Sequence, residues 1–286
     1  MPIVYEKLLA LNIPEVEQTY GPKDAILYAL GVGLGQDPLD AAELPFVYEK
    51  NLKVLPTFAV VLGWPGFWPR DLDSGIDWVK LVAAEQGLVL HRPLPPSGSI
   101  IGRIRVTEII DKGPGKGALV YTERIVSDKV TGEKIATVTQ TSFCRGDGGF
   151  GGPPRQAPPP PPIPEHAPDV VCDFPTRPET ALLYRLSGDP NPLHVDPAIA
   201  KAAGFPRPVL HGLATFGIAA RSILKCLCGY NPSKLTAIAA RYSAPVFPGD
   251  TIRTEIWRDS GMVSFRARVA ERAAIVLNNG RAEIKS

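Results

Sequence analysis

The feature that most restricts the fold of this chain is an internal repeat. Ile26-Leu27-Tyr28-Ala29-Leu30-Gly31 parallels Leu182-Leu183-Tyr184-Arg185-Leu186-Ser187. Leu55-Pro56-Thr57-Phe58-Ala59-Val60 parallels Leu213-Ala214-Thr215-Phe216-Gly217-Ile218. Later, Pro93-Leu94-Pro95-Pro96-Ser97-Gly98 parallels Pro245-Val246-Phe247-Pro248-Gly249. Tyr28 to Phe58 spans 30 residues and Tyr184 to Phe216 spans 32. Three matches in the same order favour duplication over chance. Residues 145–168 separate the copies. They hold Arg145-Gly146-Asp147-Gly148-Gly149-Phe150-Gly151-Gly152 and an unbroken run from Pro158 to Pro162. Glycine gives flexible backbone and the proline run gives stiff, extended polyproline II. The expected organisation is therefore a first repeat at 1–144, a linker at 145–168 and a second repeat at 169–286. A length of 286 residues suits two such units.

The second repeat reads as helix signals followed by strands. Thr176-Arg177-Pro178-Glu179 has capping-box spacing and predicts a helix over about 177–187. Asp196-Pro197 is an N-cap with proline at the first helical position, and Gly204 with Pro206 closes that short helix. A helix over about 212–228 carries Leu213, Phe216, Ile218, Ala219, Ala220, Ile223 and Leu224 nearly all round, and Gly229 ends it. Such a helix is expected to be buried. Strand runs follow at Thr236–Tyr242, Thr251–Trp257, Val263–Val269 and Ala274–Asn278, with turns at Pro248-Gly249-Asp250 and Ser260-Gly261. The first repeat has similar runs at Gly87–His91, Ser99–Ile110, Ala118–Ser127 and Glu133–Phe143. A central helix wrapped by an antiparallel sheet fits this order.

Composition excludes several classes. Hydrophobic residues are 44% and charged residues 21%, as in a soluble globular protein. No apolar run approaches the ~20 residues of a membrane helix, and no secretory signal is visible. The C-terminal Glu283-Ile284-Lys285-Ser286 is not a Ser-Lys-Leu address, so a cytoplasmic protein is expected over a peroxisomal one. A formal charge of +2 without a Lys/Arg stripe argues against nucleic acid. Cys144, Cys172, Cys226 and Cys228 have no accompanying His pair, so reduced thiols and no metal are expected. Without a secretion signal, the Arg-Gly-Asp triplet is not read as an adhesion motif.

Chemistry concentrates in Tyr184-Arg185-Leu186-Ser187-Gly188-Asp189-Pro190-Asn191-Pro192-Leu193-His194-Val195-Asp196. It places a carboxylate and an imidazole five residues apart. Two prolines between them forbid a regular helix and hold the side chains at small entropic cost. Such a pair can share a water, orient it and move protons near neutral pH. His211-Gly212 opens the apolar helix, where unpaired N–H groups and the dipole favour a developing negative charge. Addition of water to an activated double bond needs both features.

The run resembles the signature of the hydratase 2 family, the (R)-specific 2-enoyl-CoA hydratases related to MaoC-like dehydratases. Tyr184, Ser187 to Asp189, Asn191 to His194 and Asp196 fill it. The resemblance implies an α+β double hot-dog fold and reversible hydration of trans-2-enoyl-CoA to (3R)-3-hydroxyacyl-CoA, with an acyl-CoA substrate, no cofactor and a homodimer. It implies Asp189 and His194 as the acid–base pair and Gly212 as the oxyanion donor, with Asn191 as a hydrogen-bonding partner and His211 as structural. It places Lys112, in Asp111-Lys112-Gly113, and Tyr242, in Arg241-Tyr242, on the CoA portion.

The first repeat departs from the signature. Gly33 stands where Asp189 does and Pro38 where His194 does, so this copy is expected to be chemically silent. Its Gly31-Val32-Gly33-Leu34-Gly35 follows a helical pattern and not a strand, which argues against a dinucleotide loop. Gly63, Pro65 and Gly66 interrupt its apolar run from Thr57, and a broken helix there is expected to leave room for a medium or long acyl tail. Two rivals share the fold: a hot-dog acyl-CoA thioesterase, which attacks the carbonyl, and a non-catalytic acyl-CoA binding module, which needs no acid–base pair.

Overall fold

The structure, a computed structural model, describes residues 2–259 and 262–285. The turn expected at Ser260-Gly261 lies outside the described residues. Ten strands are described: β1 (Val16–Tyr20), β2 (Leu81–Leu90), β3 (Gly98–Asp111), β4 (Ala118–Asp128), β5 (Lys134–Cys144), β6 (Val170–Pro175), β7 (Leu235–Tyr242), β8 (Thr251–Asp259), β9 (Met262–Val269) and β10 (Ile275–Ile284). They form one sheet in the order β1-β3-β4-β5-β2-β7-β10-β9-β8-β6. Each pairing is antiparallel. The order reads outward from a central seam, where β2 of the first half pairs with β7 of the second through Glu85–Arg241, Gly87–Ala239 and Val89–Ala237. Each half thus contributes a hot-dog repeat to a double hot-dog fold. The helices are α1 (Tyr5–Leu9), α2 (Pro22–Gly31), α3 (Leu44–Val47), α4 (Trp68–Asp71), α5 (Thr180–Tyr184), α6 (Pro197–Ala202) and α7 (Gly212–Cys228).

Strand alternation makes one face of the sheet the inside. On β4, Val120, Thr122, Arg124 and Val126 are buried while Leu119, Tyr121, Glu123 and Ile125 between them are half-buried. The wrapped element is α7, buried on nearly every side from Ala214 to Leu224 and closed by Gly229 in the left-handed conformation at φ 55°. Its first-repeat counterpart is a single 3-10 turn, Pro56–Val60. That turn ends where the Arg124 guanidinium donates to the Val60 carbonyl at 2.5 Å and lies over the Trp64 ring, 5.1 Å from its centroid. Gly63 follows at φ 62°, and a Cβ there would lie 2.7 Å from the Gly102 Cα. Thr122 and Arg124 sit between Val120, in a small core with Ile3, Leu8 and Trp68, and Val126, in the large core around α7.

Three local readings are corrected. The helix expected over 177–187 is α5 followed by a 3-10 turn, Arg185–Ser187. The capping box does not form, because the Thr176 hydroxyl donates to the Asp250 carbonyl at 2.8 Å and accepts from the Gly249 N–H at 2.9 Å. Glu179 takes the N-cap position without a side-chain bond. Edge strands β1 and β6 join the sheet without an advance signal, and β10 runs past Asn278 through a bulge with Asn279 at φ 53°. Finally, the glycine part of the linker is pinned and not free. Gly149 and Gly151 each donate to the Asp111 carboxylate at 2.7 Å. The Asp147 carboxylate accepts from the Asp77 N–H at 3.1 Å, so the Arg-Gly-Asp triplet serves the fold.

Candidate active site

Gly188, at φ 119°, turns the chain out of the Arg185–Ser187 turn in a conformation that favours glycine. Asp189 follows. Its Oδ1 accepts from the Asn191 N–H at 3.3 Å. Asn191 is a turn-maker: its Oδ1 accepts from the Leu193 N–H at 3.0 Å and caps the Pro192–His194 turn. That turn aims His194 back at the core, where Nδ1 donates to the Val209 carbonyl at 2.8 Å. The bond fixes the tautomer, so Nε2 carries the free lone pair. Burial, the largest influence, pushes the His194 pKa below the ordinary histidine value, against the Val209 carbonyl and the Asp189 carboxylate. A neutral imidazole at neutral pH is a ready proton acceptor.

His211 is the platform beneath. It is 1% exposed and stacks on His194, with centroids 3.6 Å apart and planes 26° apart. Its Nε2 donates to the Asp189 backbone carbonyl at 3.2 Å, and its ring lies 5.0 Å from that of Tyr184. Burial, with His194 alongside, drives its pKa down to about 3, so it stays uncharged. One ligand atom each from Asp189, His194 and His211 lies within 4.8 Å of the others. Asp189 and His194 thus present their polar atoms to one small region. The set has the residue types of a metal site, but Nδ1 of His194 and Nε2 of His211 are committed to carbonyls.

Gly212 is the first residue of α7, where N–H groups have no acceptor within the helix. A Cβ on Gly212 would lie 3.0 Å from Cε1 of Tyr242. Glycine here lets the Tyr242 ring lie against the helix start. Tyr242 also lines a groove of about 640 Å³ with Ile110, Lys112, Phe143, Arg155 and Arg241. Tyr242 is thus common to the groove and to the start of α7. Lys112 Nζ lies 4.9 Å from the Phe143 ring centroid, and the Tyr242 hydroxyl is buried, which raises its pKa.

The structure thus brings Asp189, His194 and Gly212 together, uses Asn191 to shape the loop, and sets Lys112 and Tyr242 along the groove. The reading of sequence missed the Val209 carbonyl, the stacking role of His211 and Arg155. Only His211 had a signal, a histidine beside the glycine that opens the helix. In the first half, a Cβ on Gly33 would lie 2.9 Å from Nη1 of Arg221. Arg221, from α7, donates through Nη2 to Glu43 at 2.5 Å, so a buried ion pair lies where the first repeat has no acid–base pair.

Comparisons with known proteins identify relatives of the chain. Residues 18–146 match the family described as MFE-2 hydratase 2 N-terminal domain, and residues 161–279 match the MaoC like domain. The Arabidopsis thaliana protein named enoyl-CoA hydratase 2, peroxisomal, is 40% identical over 94% of this chain and 92% of its own. The crystal structure of a MaoC-like dehydratase from Phytophthora capsici is 35% identical, with a TM-score of 0.88, covering 98% of both chains. A Mycobacterium tuberculosis protein described as a double hotdog fold is 15% identical, with a TM-score of 0.58, over 99% of this chain and 98% of its own. That last likeness is one of fold alone.

Proposed function

We propose a function from one premise: this chain belongs to the hydratase 2 family of MaoC-like dehydratases. It adds water reversibly to trans-2-enoyl-CoA and yields (3R)-3-hydroxyacyl-CoA. The observation that carries this reading is the Asp189 carboxylate and the neutral His194 imidazole, held together beside the start of α7.

The pair holds one water at C3 of the enoyl thioester. As the water oxygen bonds to C3, one water proton passes to the pair and the C2–C3 π electrons move toward the thioester oxygen. The Gly212 N–H donates to that enolate oxygen, where the helix dipole also favours negative charge. A proton then passes from the pair to C2, and the pair ends as it began. Asn191 and His211 act by position: one holds the loop, the other the imidazole plane. The pantetheine arm runs past Tyr242, with Lys112 and Arg241 along the groove toward the phosphates. Hydration of an enoyl-CoA followed by chiral analysis tests the reading: loss of the conjugated absorbance with a 3R product is expected. A dominant 3S alcohol, or release of free thiol as a thioesterase would give, overturns it, and no turnover leaves only a binding module.

The preferred substrates are medium to long chains, as in fatty acid β-oxidation. Support comes from the 5-residue turn of the first repeat against the 17 residues of α7. Each buried methylene is worth about 0.8 kcal/mol, so kcat/KM is expected to rise from four-carbon to decenoyl esters. A sharp four-carbon preference would end this part of the proposal. None of the described helices is long and apolar enough to cross a membrane. A cytoplasmic setting and a homodimer complete the proposal, and light scattering on the purified protein tests the dimer.

A further inference from the structure

The linker forms part of the groove wall. Arg155, Gln156 and Ala157 line it opposite Lys112 and Arg241. They are held there from both sides. Upstream, the N–H groups of Gly149 and Gly151 are fixed on Asp111 at the end of β3. Burial alone would raise the Asp111 pKa, but four backbone N–H groups outweigh it and hold the carboxyl below its usual range. Downstream, the carbonyls of Pro161 and Pro162 accept from Asn279 at 2.9 Å and Arg281 at 2.5 Å on β10. Between these ties, Pro158 to Pro161 lie over Gly87 and Ala239 at the β2–β7 seam. A polyproline segment tied at both ends is a stiff strap, so Arg155 is presented at small entropic cost.

The cations of the groove differ in how fully they are engaged. The Asp111 carboxylate is already surrounded by N–H donors. Arg241 is balanced by Glu85 at 3.0 Å. Arg155 donates through Nη1 to Glu108 at 2.6 Å and remains 55% exposed. A guanidinium has five N–H donors in a planar fork that matches phosphate, and one contact with Glu108 leaves most of the fork available.

We infer that Arg155, supplied by the linker, binds a phosphate at the nucleotide end of the CoA substrate. Gln156 and Ala157 complete that wall, so the linker is a substrate-binding element as well as a connector. This rests on the enoyl-CoA reading, because a ligand without phosphates gains nothing from the strap.

The test compares two thioesters with the same enoyl group, one on CoA and one on pantetheine, which has no phosphates. In the full-length protein, Arg155→Ala is expected to raise KM for the CoA ester about tenfold, as for loss of one charge-assisted contact. The same change should alter kcat/KM for the pantetheine ester by less than about twofold. Arg155→Lys, which keeps charge but not the fork, should fall between. Free CoA binding, measured by calorimetry, should weaken in parallel and lose part of its salt dependence. Equal losses on both esters would mark Arg155 as merely structural and overturn the inference, as would unchanged CoA affinity. If the unsubstituted protein hydrates neither ester, the hydratase reading fails, while CoA calorimetry still decides the role of Arg155.

Discussion

Gly212→Pro is expected to be far more damaging to hydration than Gly212→Ala, and the geometry sets the size of the gap. Position 212 is the first of α7, a place where proline is well tolerated, because its missing N–H has no partner within the helix. His211, at φ −55° and ψ 134°, already has the extended conformation preferred before proline. The fold should therefore survive both changes. Each also adds a Cβ, which would sit 3.0 Å from Tyr242 Cε1 and push that ring by a few tenths of an ångström. Alanine is thus not a silent control: it reports the cost of disturbing Tyr242. Proline adds to that the loss of the N–H. One oxyanion donor is worth about 10²–10³ in kcat, so the proline variant should fall below the alanine variant by about that factor. The assay is kcat on a saturating enoyl-CoA, with thermal melts to show that both proteins fold. Proline and alanine variants within about threefold of each other would refute the oxyanion assignment.

Two further outcomes follow from the same geometry. Asp189→Asn and His194→Ala should each lower kcat by at least about 10², the low end for a positioned acid or base; His194→Ala should also lower the melting temperature, because it unpairs the Val209 carbonyl and unstacks His211. Near-normal turnover in either would remove that residue from the mechanism. The second concerns pH. Burial, with His194 beside it, holds folded His211 at about 3, against about 6.5 in the unfolded chain. Below 6.5 the unfolded chain takes up a proton that the folded one refuses. Stability is therefore full above that pH and lost as pH falls toward 3, by about 1.4 kcal/mol per unit from this group. Urea midpoints at pH 7.5 and 5.5 should differ more in the parent protein than in His211→Gln; equal differences would count against a buried, neutral His211.

What could be read in advance was local. Asp189, Pro190, Asn191, Pro192 and His194 shape their own loop through bonds no more than three residues apart, so the pattern carries the geometry. The burial of α7 was likewise written in its all-round apolar surface. What could not be read depends on partners far along the chain. Thr176 has capping-box spacing, yet its hydroxyl is claimed by Asp250, 74 residues away. The glycine run looks flexible in sequence, but Gly148, Gly149, Gly151 and Gly152 all have positive φ and hold one defined path against Asp111. His194 draws its tautomer from the Val209 carbonyl. A backbone carbonyl has no residue identity, so no motif could have named it. Lys112 and Tyr242 came from resemblance, and Arg155 was hidden in a segment that composition marks only as a connector.

The first repeat carries a buried ion pair at the position that corresponds to Asp189. Where an acid–base pair would stand, Gly33 leaves room for Arg221, which comes from α7 and pairs with Glu43. Arg221 is 3% exposed and Glu43 2%. Tyr230, just beyond α7, donates to the same Glu43 oxygen at 2.7 Å. The Arg221 guanidinium also lies 3.6 Å from the Phe174 ring centroid of β6. A buried pair of this kind adds little net stability over apolar residues of the same shape, but removing one partner strands a charge, at a cost of about 3–5 kcal/mol. Glu43 belongs to the first repeat, and Arg221 to the helix whose first residue is Gly212. Removing either partner is therefore expected to loosen the first repeat from the helix that carries Gly212. The ion pair at Gly33 ties α7 to the first repeat, so the two repeats depend on each other through Arg221, Glu43 and Tyr230.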